Sequence, residues 1–277
     1  MSVINTNVSA ILTQNALAKN ERAMSGAMEQ LSTGKRINSA SDDAAGLAIS
    51  SRMTSQINGL NQGVRNANDA ISLIQTADGA LIEVTNMLQR MRTLAVQAAS
   101  DTNAAADVTA LQAEFALLRT EIDRIGSNTQ WNGENVLDES GGTSGTYAFQ
   151  VGANATQQVS VAIQDYTTSG DISGIDSLDI STSITTANAA ITAVDTAIAT
   201  VNSGRATMGA TINVLQYAAD NLANVSLNAT ASRSRVEDID YSSATTELAR
   251  TQIIAQAATA MLAQANQMPQ TVLSLLK

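Results

Sequence analysis

The 277-residue chain contains no cysteine and no histidine. Without cysteine, it forms neither disulfides nor thiolate metal sites. Without histidine, it lacks the commonest general base, the commonest metal ligand and the base of a catalytic triad. Asp, Glu, Lys and Tyr still offer acid–base chemistry, but the composition argues against an enzyme. We expect no catalytic residues, no cofactor and no metal.

Aromatic residues and proline are also scarce. Aromatics make up 3% of the chain, and Pro269 is its single proline. Small residues such as Ala, Ser and Thr fill narrow seams between helices, but they fill a thick globular core poorly. Because proline is the strongest breaker of helix interiors, its scarcity permits very long helices.

Positive charge is missing from the middle of the chain. No Lys or Arg occurs between Arg124 and Arg205, whereas eight acidic residues do, and the net charge is −10. This balance argues against nucleic-acid binding as the main role. No run of 18 apolar residues occurs, so we expect no membrane span. Residues 1–5 do not resemble a Sec-type signal, so we expect any export to use another route.

Apolar residues recur at alternating spacings of three and four, which is typical of packed helices. In residues 57–88 only Asp78 and Thr85 interrupt this stripe. We expect this helix to begin at residues 41–43, with Ser41 as a cap and the carboxylates of Asp42 and Asp43 also in a capping role that suits the helix dipole, and to run to about residue 100. A second helix follows over residues 108–125, and a third over about 182–232, where Arg205 stands in the apolar register.

A β-hairpin is predicted near residues 146–163, between the second and third helices. Tyr147, Phe149 and Val151 alternate with smaller or polar residues, as do Val159, Val161 and Ile163. The Gly/Asn-containing segment between the two runs is typical of a hairpin loop. Residues 164–182, rich in Ser, Thr, Gly and Asp, read as a loop.

The predicted fold is mainly α: a long antiparallel coiled-coil helical rod with one small β-hairpin and with its termini paired as a helical coiled coil. We expect an inner terminal domain from residues 1–42 and 234–277, and a rod domain from residues 43–233. No separate outer domain is expected. A chain that runs out and returns through a central hairpin places its two ends side by side.

Both terminal segments carry thin apolar stripes. Ordering a residue costs about 1–2 kcal/mol of backbone entropy, and two thin helices bury too little surface to offset it. We therefore expect these ends to be largely disordered in the monomer and to fold when copies of the chain cover them. The candidate self-assembly residues are Ile4, Val8, Ile11, Met24, Met28, Leu31, Ile254, Met261, Met268, Val272 and Leu275.

Several segments resemble bacterial flagellins. They are residues 3–7 (VINTN), 31–49 (LSTGKRINSASDDAAGLAI), 89–97 (QRMRTLAVQ), 121–125 (EIDRI), 149–154 (FQVGAN) and 265–273 (ANQMPQTVL). The resemblance extends over roughly residues 1–155 and 185–277. The chain is similar to a short flagellin without inserted outer domains.

This resemblance implies a structural subunit that polymerises with itself into the filament used for swimming. It implies secretion through the flagellar type III apparatus to the extracellular flagellum. An export chaperone, the filament cap and hook-junction proteins are the implied partners, with a host Toll-like receptor as a further one. The residues at the implied receptor-contact and subunit-packing positions are Leu88, Gln89, Arg90, Leu94, Gln97 and Glu114.

Two other functions are considered. A hook–filament junction protein would share the terminal helices, but it is expected to lack the full rod and hairpin match. A signalling coiled coil would share the Ala-rich antiparallel heptads, but it would lack the hairpin and would normally follow a membrane span. We rank both below a filament subunit.

Overall fold

A computed structural model describes residues 6–274, with side chains described through residue 267. The elements are α1 (Val8–Thr33), α2 (Ala44–Ala98), α3 (Ala105–Asn128), β1 (Gln130–Trp131), β2 (Glu134–Asn135), β3 (Thr146–Gln150), β4 (Gln158–Ala162), a short 3-10 helix (Ser173–Ile175), α4 (Ile184–Glu237) and α5 (Tyr241–Ser274). The predicted mainly α fold is confirmed. The predicted hairpin is β3–β4, and a second small antiparallel hairpin, β1–β2, was not predicted.

The chain divides into two compact units. Unit 1 comprises residues 1–55 and 228–277, and unit 2 comprises residues 56–227. Both divisions fall inside long helices, α2 and α4, whereas the sequence-based boundaries stand just before α2, at residues 42/43, and near the end of α4, at residues 233/234. A continuous helix shows no change of composition or capping residue at such a point, so sequence alone gives no boundary signal there.

In unit 1, α1 and α5 pack as an antiparallel pair. The Asn20 side-chain amide donates to the Thr251 carbonyl at 2.7 Å, and the Asn7 amide donates to the Ala265 carbonyl at 2.7 Å. The two contacts run in opposite order along the two helices. The expected pairing of the terminal helices is therefore present in the structure.

The start of α2 is capped by a predicted carboxylate, that of Asp43, and not by Ser41. Asp43 Oδ1 accepts the Gly46 N–H at 2.8 Å, the position of a helix N-cap. The preceding Asp42 accepts the backbone N–H groups of Ser39 and Asn38, which lower the pKa of its carboxyl. Ser41 instead shares a hydroxyl–hydroxyl hydrogen bond with Ser39. A carboxylate is the better cap here because it also suits the helix dipole.

In unit 2, α2, α3 and α4 enclose one apolar core. Its largest buried side chains on α2 are Ile74, Leu81, Leu88, Met91 and Leu94, and α3 adds Phe115 and Ile122. From α4 come Ala187, Ala190, Val194, Ala197, Val201, Met208 and Leu215. The three-and-four spacing of the sequence thus faces inward along α2 and α4, as predicted.

Two ion pairs join α2 to α4. Asp78 accepts from Arg205 at 2.7 Å, and Asp195 accepts from Arg92 at 2.6 Å. Asp78 and Arg205 are polar interruptions in the predicted apolar stripes of α2 and α4, and the two opposite charges pair with each other. The order of the pairs also shows that α2 and α4 are antiparallel within unit 2.

The β3–β4 hairpin lies against α2. The Asn66 side-chain amide donates to the Gln150 carbonyl at 2.7 Å. A Cβ on Gly63 would lie 2.8 Å from the Val151 carbonyl oxygen, so the hairpin packs where α2 has no side chain. Glycines that weaken a helix by about 1 kcal/mol relative to Ala thus permit close approach of a second backbone.

The loop before α4 is anchored by Tyr166, whose side chain is fully buried. Its hydroxyl lies 3.2 Å from Gln164 Oε1 and packs against Gly204 of α4. Burial raises the pKa of Tyr166 to about 12. The predicted loop is therefore an ordered covering of the core, with Ile172, Ile175 and Ile180 also buried.

Among the described helices, α4 is long and apolar enough to cross a membrane by length and composition, with a mean hydropathy of 1.2 over its best 18 residues. This differs from the expectation of no membrane span, which rests on the absence of uninterrupted apolar runs. The α4 residues Val194, Val201 and Met208 are at most 1% exposed and lie in the core of unit 2.

Candidate self-assembly surface

Large apolar side chains of α1 point away from α5. Val8 is 64% exposed, Ile11 51%, Leu12 71% and Met28 48%. In contrast, the residues of α1 that are buried, Asn20 among them, are small or polar. Helix α1 thus keeps its most hydrophobic surface in water.

Helix α5 has the same inverted arrangement. Ile253 is 67% exposed, Ile254 40% and Met261 62%. Its buried positions are Ala244, Thr251 and Ala265. Monomeric soluble proteins rarely expose contiguous apolar surface without a partner to cover it.

The seam between α1 and α5 explains the inversion. Asn20 and Thr251 meet by a side-chain to backbone hydrogen bond, and Ala27 and Ala265 occupy further buried positions. Small residues allow the two helices to approach closely, and the hydrogen bond satisfies the buried amide. The fully buried positions of this seam are small or polar, whereas the most exposed large aliphatic groups lie on the outer faces.

The predicted apolar stripe of α1 combines two faces of the helix. Val8, Ile11 and Met28 lie on the outer face, whereas Met24 and Leu31 are partly buried, in the three-and-four register of Asn20. Ile254 and Met261 are outward on α5. The prediction missed Leu12 and Ile253, which are more exposed than most predicted members. Their hydrophobicity was visible, but the face that pairs within the chain was not.

Four predicted assembly residues cannot be placed. Ile4 and Leu275 lie outside the described residues, and the side chains of Met268 and Val272 lie beyond the described part of α5.

The predicted receptor-contact set is split by burial. Leu88 is 0% and Leu94 1% exposed, because both face the core of unit 2. The prediction that these two residues are surface contacts is therefore wrong, and both side chains pack in the core. Gln89, Arg90 and Gln97 are exposed on α2. Arg90 donates to Glu114 on α3 at 2.8 Å, and this hydrogen bond raises the pKa of the Arg90 guanidinium.

Family comparisons agree with this arrangement. Residues 4–141 match the bacterial flagellin N-terminal helical region, and residues 191–276 match the bacterial flagellin C-terminal helical region. A flagellin of Halalkalibacterium halodurans is 46% identical over 275 residues, covering 99% of this chain and 100% of the relative. A flagellin of Bacillus subtilis is 42% identical over 308 residues, with 99% of each chain covered.

Solved structures add a second comparison. The crystal structure of Bacillus cereus flagellin aligns with a TM-score of 0.50 at 35% identity, covering 57% of this chain and 88% of that one. A flagellar hook-associated protein of Vibrio parahaemolyticus aligns with a TM-score of 0.61 over 71% of this chain and all of that chain. At 14% identity, the latter likeness concerns the fold alone.

The whole-chain relatives therefore favour the filament subunit over the hook–filament junction protein. The two matched flagellin regions lie on either side of a short middle segment. The apolar outer faces of α1 and α5 suit a protein that packs against copies of itself. The chain belongs to the bacterial flagellin family, which is a family of structural subunits of the extracellular flagellar filament and not of enzymes.

Proposed function

We propose that the outer faces of α1 and α5 are the surfaces through which copies of this chain contact each other in the filament interior. The supporting observation is the exposure of Leu12, Ile253 and Val8, at 71%, 67% and 64%. Burying one such side chain contributes about 1.5–3 kcal/mol. A few of these on each copy supply enough free energy to drive polymerisation.

Folding of unit 1 is coupled to this assembly. The groups that the α1–α5 seam buries fully are small or polar, and Met24 and Leu31 are buried only in part, so pairing of the two helices within one copy gives limited hydrophobic stabilisation. The ordering entropy of both helices is offset when neighbouring copies cover their outer faces. Hydrogen exchange of α1 and α5 should be fast in dilute monomer and slow in the filament.

The remaining roles rest on membership of the family. The chain is secreted through the flagellar type III apparatus, with an export chaperone before assembly, and it contacts the filament cap and hook-junction proteins in the flagellum.

Recognition by a host Toll-like receptor is a further role of unit 2. The supporting observation is that Gln89, Arg90 and Gln97 are exposed on one helix, with Glu114 ion-paired to Arg90. Packing between copies is the primary role of this surface, and receptor contact is secondary to it.

The test of the assembly surface compares matched serine variants. Leu12→Ser and Ile253→Ser remove outer-face side chains of unit 1, and Leu117→Ser removes a side chain of α3 that is 72% exposed in unit 2. We expect Leu12→Ser and Ile253→Ser each to raise the critical concentration for seeded polymerisation about tenfold or more. Leu117→Ser should change it much less. Equal effects of all three variants would refute the assignment to α1 and α5.

A further inference from the structure

Asn132 and Gly133 form the two-residue loop of the β1–β2 hairpin. Their φ angles are 50° and 86°, the positive values of a type I′ turn. Asn132 is exposed, and no side-chain hydrogen bond holds it within the described residues. The flanking polar residues Gln130 and Asn135, by comparison, bond to each other at 2.9 Å.

Gly133 is equally unobstructed. A Cβ built on it would meet no atom within 4 Å, and among residues 6–274 its N–H makes no backbone hydrogen bond. Within the described part of the chain, no hydrogen bond therefore restrains the backbone nitrogen of Gly133 or the side-chain amide of Asn132 beside it, so the first is free to attack the second. The hairpin that holds it is short, with two residues in each strand.

We propose that Asn132 is a site of spontaneous deamidation, with Gly133 supplying the attacking nitrogen. The Gly133 amide nitrogen loses its proton and attacks Asn132 Cγ, forming a five-membered succinimide. The Cγ–Nδ2 bond breaks, and the nitrogen leaves as ammonia after taking a proton from water. Water then opens either carbonyl of the ring, giving aspartate or isoaspartate at position 132. No oxidant or reductant is needed.

The chain contains an internal control with the same dipeptide. Asn58 and Gly59 lie within α2, where the backbone is held by the helical hydrogen-bond ladder. A Cβ on Gly59 would lie 3.1 Å from the Ala153 side chain, because the β3–β4 hairpin covers this glycine. Ring closure at Asn58 requires local opening of α2, whereas ring closure at Asn132 requires only rearrangement of an exposed turn.

Deamidation would change the local electrostatics. Asn132 lines a surface hollow together with Asp69 and Trp131, so the new carboxylate lies close to an existing one. Isoaspartate also lengthens the backbone within a two-residue loop, which strains the β1–β2 ladder. Trp131 is the single tryptophan of the chain and reports both changes by its fluorescence.

The experiment uses the full chain in mildly alkaline buffer, native and in denaturant. Samples taken over time are digested, and mass spectrometry measures conversion at positions 132 and 58. Isoaspartyl methyltransferase labelling separates isoaspartate from aspartate. In the native chain we expect Asn132 to convert about tenfold or more faster than Asn58, because only the latter needs helix opening. In denaturant the two rates should become similar.

A matched variant completes the test. Asn132→Gln should abolish conversion at position 132 and the accompanying Trp131 fluorescence change, and leave the rate at Asn58 unchanged. Equal native rates at the two sites would overturn the proposal. So would an Asn132 that stays intact in the native chain while both sites convert in denaturant. Neither outcome depends on polymerisation, so the result is independent of the proposed assembly surface.

Discussion

Replacing Gly204 by alanine should destabilise unit 2, although glycine-to-alanine changes normally stabilise a helix interior. Gly204 lies in the middle of α4, and a Cβ there would overlap the Tyr166 hydroxyl and lie 2.8 Å from its Cζ. Tyr166 is 0% exposed, so the ring has no solvent-side space to retreat into.

The magnitude follows from two opposing terms. Alanine should contribute about 1 kcal/mol through helix propensity. Overpacking a buried site costs about 1–3 kcal/mol. Because the overlapping atom is itself buried, we expect the upper part of that range and a net loss of about 1–2 kcal/mol. For a unit of this size, that loss lowers the melting temperature by about 2–8 °C.

The matched control is Gly209→Ala, five residues further along α4, where a Cβ would meet nothing within 4 Å. This variant should gain close to the full propensity term, about 1 kcal/mol. Thermal unfolding followed by circular dichroism measures both variants. Adding Tyr166→Phe to Gly204→Ala removes the overlapping oxygen and should recover part of the loss, giving a measurable coupling between the two sites. Gly204→Ala as stable as Gly209→Ala would refute the packing argument.

Three further outcomes follow from the structure. Charge reversal at Asp78 (Asp78→Arg) should destabilise unit 2. Adding Arg205→Asp should restore about 1 kcal/mol of stability, because this partly exposed pair is screened by solvent. Denaturant unfolding of the two single variants and the double variant measures this coupling. Burial raises the pKa of Tyr166 to about 12 from 10.0. The stability that Tyr166 contributes is therefore fully present below pH 10.0 and is lost as pH rises towards 12. Tyrosinate absorbance, with Tyr166→Phe as the control, measures the ionisation of this residue. Asp43→Ala should cost about 1 kcal/mol of stability at the start of α2, whereas Ser41→Ala should cost little, as amide exchange in the first turn would report.

The helices of unit 2 could be predicted from the sequence because the three-and-four spacing depends only on residues close together in the chain. The pairing of Asp78 with Arg205 could not be predicted, because it depends on the register between two helices, and the two residues are 127 positions apart in the chain. The role of Gly204 was hidden for the same reason. In the sequence it is a weak point of a helix, and only the fold brings Tyr166 against it.

The exposed apolar residues of α1 and α5 were predicted in part. Sequence spacing located apolar residues on α1 and α5, but both faces of α1 carry such residues. Leu17 is partly buried, in register with Asn20, whereas Leu12 is 71% exposed. Hydrophobicity alone would assign the largest groups to the centre of the seam, whereas the fully buried positions of α1 are Asn20 and Ala27 and Leu17 is only partly buried. Small side chains at positions such as Ala27 allow the helix backbones to approach closely.

Unit 2 buries Leu81, Leu88 and Phe115 in its own core, so it has a hydrophobic driving force to fold alone. In unit 1 the fully buried positions of α1 and α5 are small or polar, and Leu17 is only partly buried, whereas Leu12 and Ile253 stay exposed. On the proposal that copies of the chain cover these outer faces, contact between copies supplies the hydrophobic burial that the pairing of α1 with α5 leaves unused.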